Sequence, residues 1–190
     1  MHIAIFASGT GSNAIKIIQY IRSKYNDVQF SIWSNNASAP LLERAQSLGI
    51  PSTVFNRPEF KNPSKILAQL QDQKADLIVL AGFLWLVPSP IVQAFENRII
   101  NIHPALLPKY GGKGMYGMNV HKAVKENQET ESGMTIHFVN EKYDEGMVIV
   151  QESCALDPED TAEQIAKKVL ALEHKNFPKV VERFVLGDLP

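Results

Sequence analysis

The chain has 190 residues, 45% of them hydrophobic, and a formal charge of -1, which suits a single globular domain over residues 1–190 with a substantial core. That charge excludes a broad electrostatic attraction to nucleic acid or to a membrane surface, while a local anion site built from backbone amides stays open. The one cysteine, Cys154, excludes an internal disulfide framework and fits a reducing, cytoplasmic setting.

The chain opens on the strand-like run His2–Ser8 with no basic region before it, so a signal peptide is not expected. Further strands are predicted at Val28–Ser34, Ser52–Phe55, Leu77–Ala81 and Ile99–Asn101. Helical spacing separates them. Ala14, Ile17, Ile18 and Ile21 share one face of the first helix, Leu41, Ala45 and Leu48 one face of the second, and Ile66, Leu67 and Leu70 one face of the third. Strands alternating with helices predict right-handed crossovers and an open, mainly parallel, twisted α/β sheet. The unbroken apolar run Leu77–Ala81 reads as a central strand covered on both faces. The longest apolar run, Leu77 to Val87, is too short for a bilayer span, which needs about 20 residues.

The pattern then changes. Gly111, Gly112, Gly114 and Gly117 mark a loop. Gly133–Val139 and Met147–Leu156 read as two strands joined by the polar turn Asn140–Gly146, an antiparallel C-terminal addition to the sheet. Cys154 falls in the second of these as a plain strand thiol. Thr161-Ala162-Glu163-Gln164 fits a capping box, opening a helix with Ile165, Val169 and Leu172 on one face that is kinked or interrupted near Pro178.

Four constellations can carry chemistry. Ser8-Gly9-Thr10-Gly11-Ser12-Asn13 lies between the first strand and the first helix, where glycines allow a tight turn and the helix start offers unpaired N–H groups to an anion. It lacks the third glycine of a dinucleotide fingerprint and the Gly-Lys-Ser/Thr of a Walker motif, so a single terminal phosphate is the better ligand. Asn101-Ile102-His103-Pro104 ends an apolar run. Asn101 and His103 are two apart and project to one side of a strand end, where an amide donor and an imidazole can hold a carbonyl oxygen and manage a proton. Asp144, in the turn Lys142–Gly146, would raise the proton affinity of His103 and orient it if the fold brings the two together. Ala81–Pro88 leaves the central strand as an apolar and aromatic wall suited to a flat ring ligand. His121 and His137 are candidates to line the cleft, and His2 and His174 are expected to be solvated. The histidine spacings make no metal motif, so no catalytic metal is expected.

Taken together, Ile5–Asn13, Ala81–Phe83, Asn101–Tyr110, Ser132–Val139 and Asp144–Gly146 resemble the phosphoribosylglycinamide formyltransferase family of purine biosynthesis, in order and over nearly the whole chain. Asn101–Lys109 is the most specific stretch, shared by formyl-transferring folate enzymes, and the Gly-Ser-Asn turn selects the glycinamide ribonucleotide branch. The resemblance implies a Rossmann-like formyltransferase fold. It also implies direct transfer of a formyl group from 10-formyltetrahydrofolate, as co-substrate, to the primary amine of glycinamide ribonucleotide, without a covalent enzyme intermediate. By the same resemblance Asn101, His103 and Asp144 are the catalytic trio, with His103 protonated against the developing oxyanion. Gly11, Ser12 and Asn13 would hold the 5′-phosphate, and Glu173 the ribose. The folate would sit against Leu84, Trp85, Leu86 and Val87, with Asn101 and the loop Asn140, Glu141, Lys142, Tyr143, Asp144. The expected partners are small molecules, with no nucleic acid and no membrane, and the chain is expected as a monomer or homodimer in the cytoplasm.

Three departures from the family pattern stand out. Gly111–Gly117 carries Lys113, Met115 and Tyr116 where many members look shorter, and Asn119 stands where a histidine is common. The arginine that meets the folate's glutamate tail has no clear counterpart near Phe60–Pro63, which leaves Lys61 as the substitute. Two related enzymes fit less well. Methionyl-tRNA formyltransferase would call for an additional C-terminal domain and a basic surface, and formyltetrahydrofolate deformylase for a regulatory segment before the first strand. A non-catalytic folate- or nucleotide-binding module would have no need of His103 and Asp144.

Overall fold

The computed structural model describes residues 1–189. Among them, β1 (His2–Phe6), β2 (Gln29–Ser34), β3 (Ser52–Val54), β4 (Leu77–Leu80), β5 (Ile99–His103), β6 (Glu131–Phe138) and β7 (Val148–Ala155) form one sheet. Its order is β3-β2-β1-β4-β5-β6-β7. The first five strands pair in parallel, and β6 and β7 add antiparallel. This is the predicted α/β architecture with its antiparallel addition.

The helices are α1 (Ser12–Arg22), α2 (Pro40–Ser47), α3 (Arg57–Lys61), α4 (Ser64–Asp72), α5 (Ser89–Ala94), α6 (Met118–Glu126) and α7 (Ala162–Val185). Successive strand residues point to opposite faces, and the core divides accordingly. Ile3, Ile5, Leu77, Val79, Ile100 and Ile102 pack on one face with α1, α2, α6 and α7. Ala4, Phe6, Ile78, Leu80 and Ile99 pack on the other with an aromatic group that includes Trp33, Phe55, Phe60 and Phe83. All four residues of β4 are buried, as the continuous apolar run requires.

The helices α3, α5 and α6 lie outside the predicted elements, and two predicted elements differ in extent. The last helix runs unbroken through Pro178. Pro178 has no N–H to offer the His174 carbonyl one turn back, but Phe177, Pro178, Val180, Val181 and Phe184 are all buried, so packing outweighs the lost bond. The strand at Ile99 extends to His103 because Asn101 and His103 sit opposite His137 and Thr135 of β6. Among the described residues no helix is long and apolar enough to cross a membrane.

Candidate active site

From β1 the chain builds the sheet in one direction through β2 and β3, and from β4 in the other through β5 to β7. The strand order therefore reverses between β1 and β4, and an open α/β sheet leaves a crevice beyond the carboxyl ends of the strands at such a point. A cavity of about 1040 Å³ lies there, lined by the segments that follow β1, β4 and β5. Two hydrogen bonds lock the first two segments together. The Ser8 N–H donates to the Gly82 carbonyl at 3.1 Å, and the Leu84 N–H donates to Ser8 Oγ at 3.2 Å.

The turn after β1 is shaped by Gly11. Its φ of 66° is left-handed, and a Cβ there would stand 2.5 Å from Leu41 Cδ1, so glycine is required on both counts. The first helical bond of this turn runs from the Ile15 N–H to the Gly11 carbonyl. No side chain caps the helix start, which leaves the N–H groups of the first turn open toward the cavity. Asn13 is placed differently from expectation. Its Nδ2 donates to Glu173 Oε2 at 2.6 Å, so that amide nitrogen is held by a carboxylate and the open donors are backbone N–H groups and Ser12. Burial pushes the Glu173 carboxyl up, and the Asn13 bond only partly offsets this. Asn13 Oδ1 is buried with no partner among the described residues.

The second cluster forms where β5 meets β6. Asn101, His103, His137 and Asp144 all line the cavity. Thr135, opposite His103, holds the segment after β5 by donating to the Ala105 carbonyl at 2.7 Å and accepting the Leu107 N–H at 3.1 Å. His103 is 4% exposed. Its Nε2 lies 2.7 Å from the Tyr110 carbonyl, which only accepts, so Nε2 carries the proton. Nδ1 faces Asp144 Oδ2 at 3.5 Å. Asp144, left-handed at φ 56°, accepts the Gly112 N–H at 2.9 Å through the same Oδ2.

The fold therefore brings His103 and Asp144 together across 41 positions of chain, but the net effect on His103 is the reverse of the expected one. Burial lowers its proton affinity by more than the Asp144 charge and the Tyr110 bond raise it, so the ring rests neutral. For Asp144 burial acts upward, and it is outweighed by its imidazole neighbours His137 and His103 together with the Gly112 N–H, so the carboxyl ionises more readily than usual. Nearby His121 is buried and falls to about 4, through desolvation first and the neighbouring His103 imidazole second, since the two rings disfavour each other's protonation. Among the described residues its Nδ1 has no partner.

Of the predicted ring-binding wall, Leu84, Trp85, Leu86, Val87, Lys142, Tyr143 and Asp144 line the cavity. The Leu86 N–H donates to the Tyr143 hydroxyl at 3.2 Å, joining the two sides. Asn140 and Glu141 are not brought in. Asn140 Oδ1 closes its own turn by accepting the Lys142 N–H, and Glu141 accepts from Gln93 on α5. Lys113, Met115 and Tyr116 of the glycine loop do line the cavity, while Asn119 donates back to the Gly114 carbonyl at 3.1 Å and so holds that loop's backbone.

Neither Lys61 nor Arg57, at the two ends of α3, is part of the cavity lining, but Arg57 lies over the ring of the lining residue Trp85, 5.0 Å from its centroid. The sequence signal for it was the Asn56–Glu59 capping box, which opens α3 at Arg57. His2 is not simply solvated, since its ring nitrogens pair with the Gln73 carbonyl and Ser31 Oγ. The described residues bring together no group of three metal-ligating side chains.

A family model described as formyl transferase matches residues 1–181. The chain is 44% identical over 186 residues to a chloroplastic phosphoribosylglycinamide formyltransferase of Arabidopsis thaliana, covering 94% of this chain and 63% of that protein. It is 34% identical over 187 residues to the phosphoribosylglycinamide formyltransferase of Bacillus subtilis, covering 96% of this chain and 93% of that one. The chain spans about 60% of the length of this Arabidopsis protein and of the chloroplastic phosphoribosylglycinamide formyltransferase of Vigna unguiculata. Among solved structures, phosphoribosylglycinamide formyltransferase from Anaplasma phagocytophilum superposes with a TM-score of 0.88 at 33% identity, covering 98% of this chain and 87% of that chain.

Proposed function

The chain belongs to the formyl transferase family, and on that premise we propose that it transfers the formyl group of 10-formyltetrahydrofolate to the primary amine of 5-phosphoribosylglycinamide in de novo purine biosynthesis. The observation that carries this reading is that Asn101, His103 and Asp144 share one cavity with an open helix start. The 5′-phosphate sits on the first-turn N–H groups of α1 and Ser12, and the ribose hydroxyls meet Glu173 and the free Asn13 Oδ1. The pterin lies between Leu84–Val87 and the Lys142–Asp144 segment. Arg57, stacked on Trp85, supplies the cation for the folate's glutamate tail in place of Lys61.

The neutral amine attacks the formyl carbon and the carbonyl electron pair moves onto oxygen. An Asn101 N–H donates to that oxygen, which is worth most where charge develops out of water. His103 rests neutral with Nε2–H held by Tyr110, so Nδ1 is the nitrogen that takes the proton from the amine. Asp144 stabilises the imidazolium this creates. The bond from the formyl carbon to folate N10 then breaks, and the proton passes from Nδ1 to N10. Formylglycinamide ribonucleotide and tetrahydrofolate leave, and no side chain is covalently modified.

We read residues 1–190 as one formyltransferase domain, working in the cytoplasm as a monomer or homodimer on small molecules, without a nucleic-acid or membrane partner and without a metal. Mass spectrometry after incubation with both substrates tests the chemistry. The amine product should gain one formyl group while the protein mass stays unchanged. A consumed formyl donor with an unmodified amine, or a formylated protein, contradicts it.

A further inference from the structure

His137 has no part in the steps above, yet it is 2% exposed and sits directly opposite Asn101 in the β5–β6 register. Its Nδ1 lies 2.8 Å from the Phe138 carbonyl. A carbonyl oxygen only accepts, so Nδ1 carries a proton, and in the neutral tautomer this selects, Nε2 is a lone pair. The Asp144 carboxylate oxygen is 3.7 Å from Nε2, beyond hydrogen-bond reach, so it does not draw the proton to that side. The backbone guards this arrangement. A Cβ at Gly146 would run into the same Phe138 oxygen and come within 3.3 Å of His137 Nδ1.

The consequence falls on Asn101. Its amide nitrogen lies 3.1 Å from His137 Nε2, and a lone pair there accepts only from N–H. The ring therefore decides which end of the Asn101 amide faces it. One N–H is committed to His137, and the second N–H stays available to the cavity that Asn101 lines. Without that acceptor nothing chooses between the two amide orientations, and the flipped one turns the Oδ1 lone pairs toward an oxygen that is gaining negative charge.

We infer that His137 is a positioning residue for formyl transfer, holding the Asn101 amide so that an N–H meets the developing oxyanion. The inference rests on the reaction proposed for this site. It acts on the transition state more than on ground-state binding, because the amide's orientation matters most once charge has formed.

Two conservative variants separate the two ring nitrogens. His137→Asn keeps a donor near the Phe138 carbonyl but does not reach Asn101, whereas His137→Gln places an amide oxygen about where Nε2 stood. H137N should lose turnover by about 10²-fold, the low end of removing an oxyanion donor, with KM for both substrates nearly unchanged. H137Q should recover most of it. In an Asn101→Ala background H137N should cost nothing further, because the two act as one unit. Wild-type turnover in H137N, equal losses in H137N and H137Q at equal thermal stability, or the full H137N loss persisting in the Asn101→Ala background each overturn the inference. A wild-type protein that transfers no formyl group overturns the functional reading and this one with it.

Discussion

Two regions of the same cavity are built by different physics. The turn after β1 works through the backbone, with open N–H groups at a helix start, one left-handed glycine, and a side-chain amide turned away toward Glu173. The cluster at the end of β5 works through buried side chains, with His103 4% exposed between two acceptors, Asp144 held by the Gly112 N–H, and His137 held between the Phe138 carbonyl and the Asn101 amide. A backbone site reads shape and charge and is proof against most side-chain changes. A buried side-chain site depends on one proton, so a change of one atom alters the chemistry. Affinity and turnover should therefore separate when the two regions are mutated.

The largest effect is expected in the buried cluster. His103→Ala should keep its fold and lose turnover by about 10³-fold, within the range for removing a general acid–base group, as steady-state kinetics beside circular dichroism will show. Near-normal turnover would erase the contrast.

The buried histidines also set acid stability. His121 falls from 6.5 to about 4 in the folded protein, so between those values the unfolded chain binds the extra proton. Stability present above pH 6.5 is then lost as pH falls toward 4, by about 3 kcal/mol at most. Urea unfolding at pH 7.5 and 4.5 should show a smaller loss in His121→Leu than in the wild type.

Asp144→Asn should lower kcat by about 10²-fold. Because Asp144 raises the His103 proton affinity against burial, its removal should move the acid limb of the kcat profile to lower pH. An unmoved limb would uncouple the pair.

On the backbone side, Gly11→Ala forces a positive φ and a clash with Leu41, and should destabilise by about 2 kcal/mol in thermal or urea unfolding. The smallest change is Ser12→Asp. It sets a carboxylate against the substrate phosphate and should raise KM for the amine by about 10-fold while leaving kcat near wild type. A fall in kcat with unchanged KM would place the phosphate elsewhere.

Much of this was legible in the residues. Apolar runs and helical spacing foretold a parallel sheet, because burial on one or both faces writes a period into the chain. The Gly9–Asn13 turn and the Asn101/His103 pair were visible because a strand end fixes where adjacent side chains point. What could not be read depended on contacts remote in sequence. Asp144 meets His103 only through the β6–β7 turn, and whether burial or the carboxylate wins at His103 is a three-dimensional balance. Asn13 turning to Glu173 spans 160 positions. The Pro178 expectation failed because local helix-breaking was set against a buried face that only the tertiary fold supplies, and the pairing of Arg57 with the Trp85 ring, 28 positions away, has no local sequence pattern.

The central claim is that this cavity moves a formyl group between two bound small molecules. The most direct test follows the absorbance of tetrahydrofolate formed from a 10-formyl-folate donor, with and without glycinamide ribonucleotide. Product that appears only with the amine is the result expected. Product at the same rate without it would mean hydrolysis, and no product with folate still bound would mean a binding module, either of which contradicts the claim.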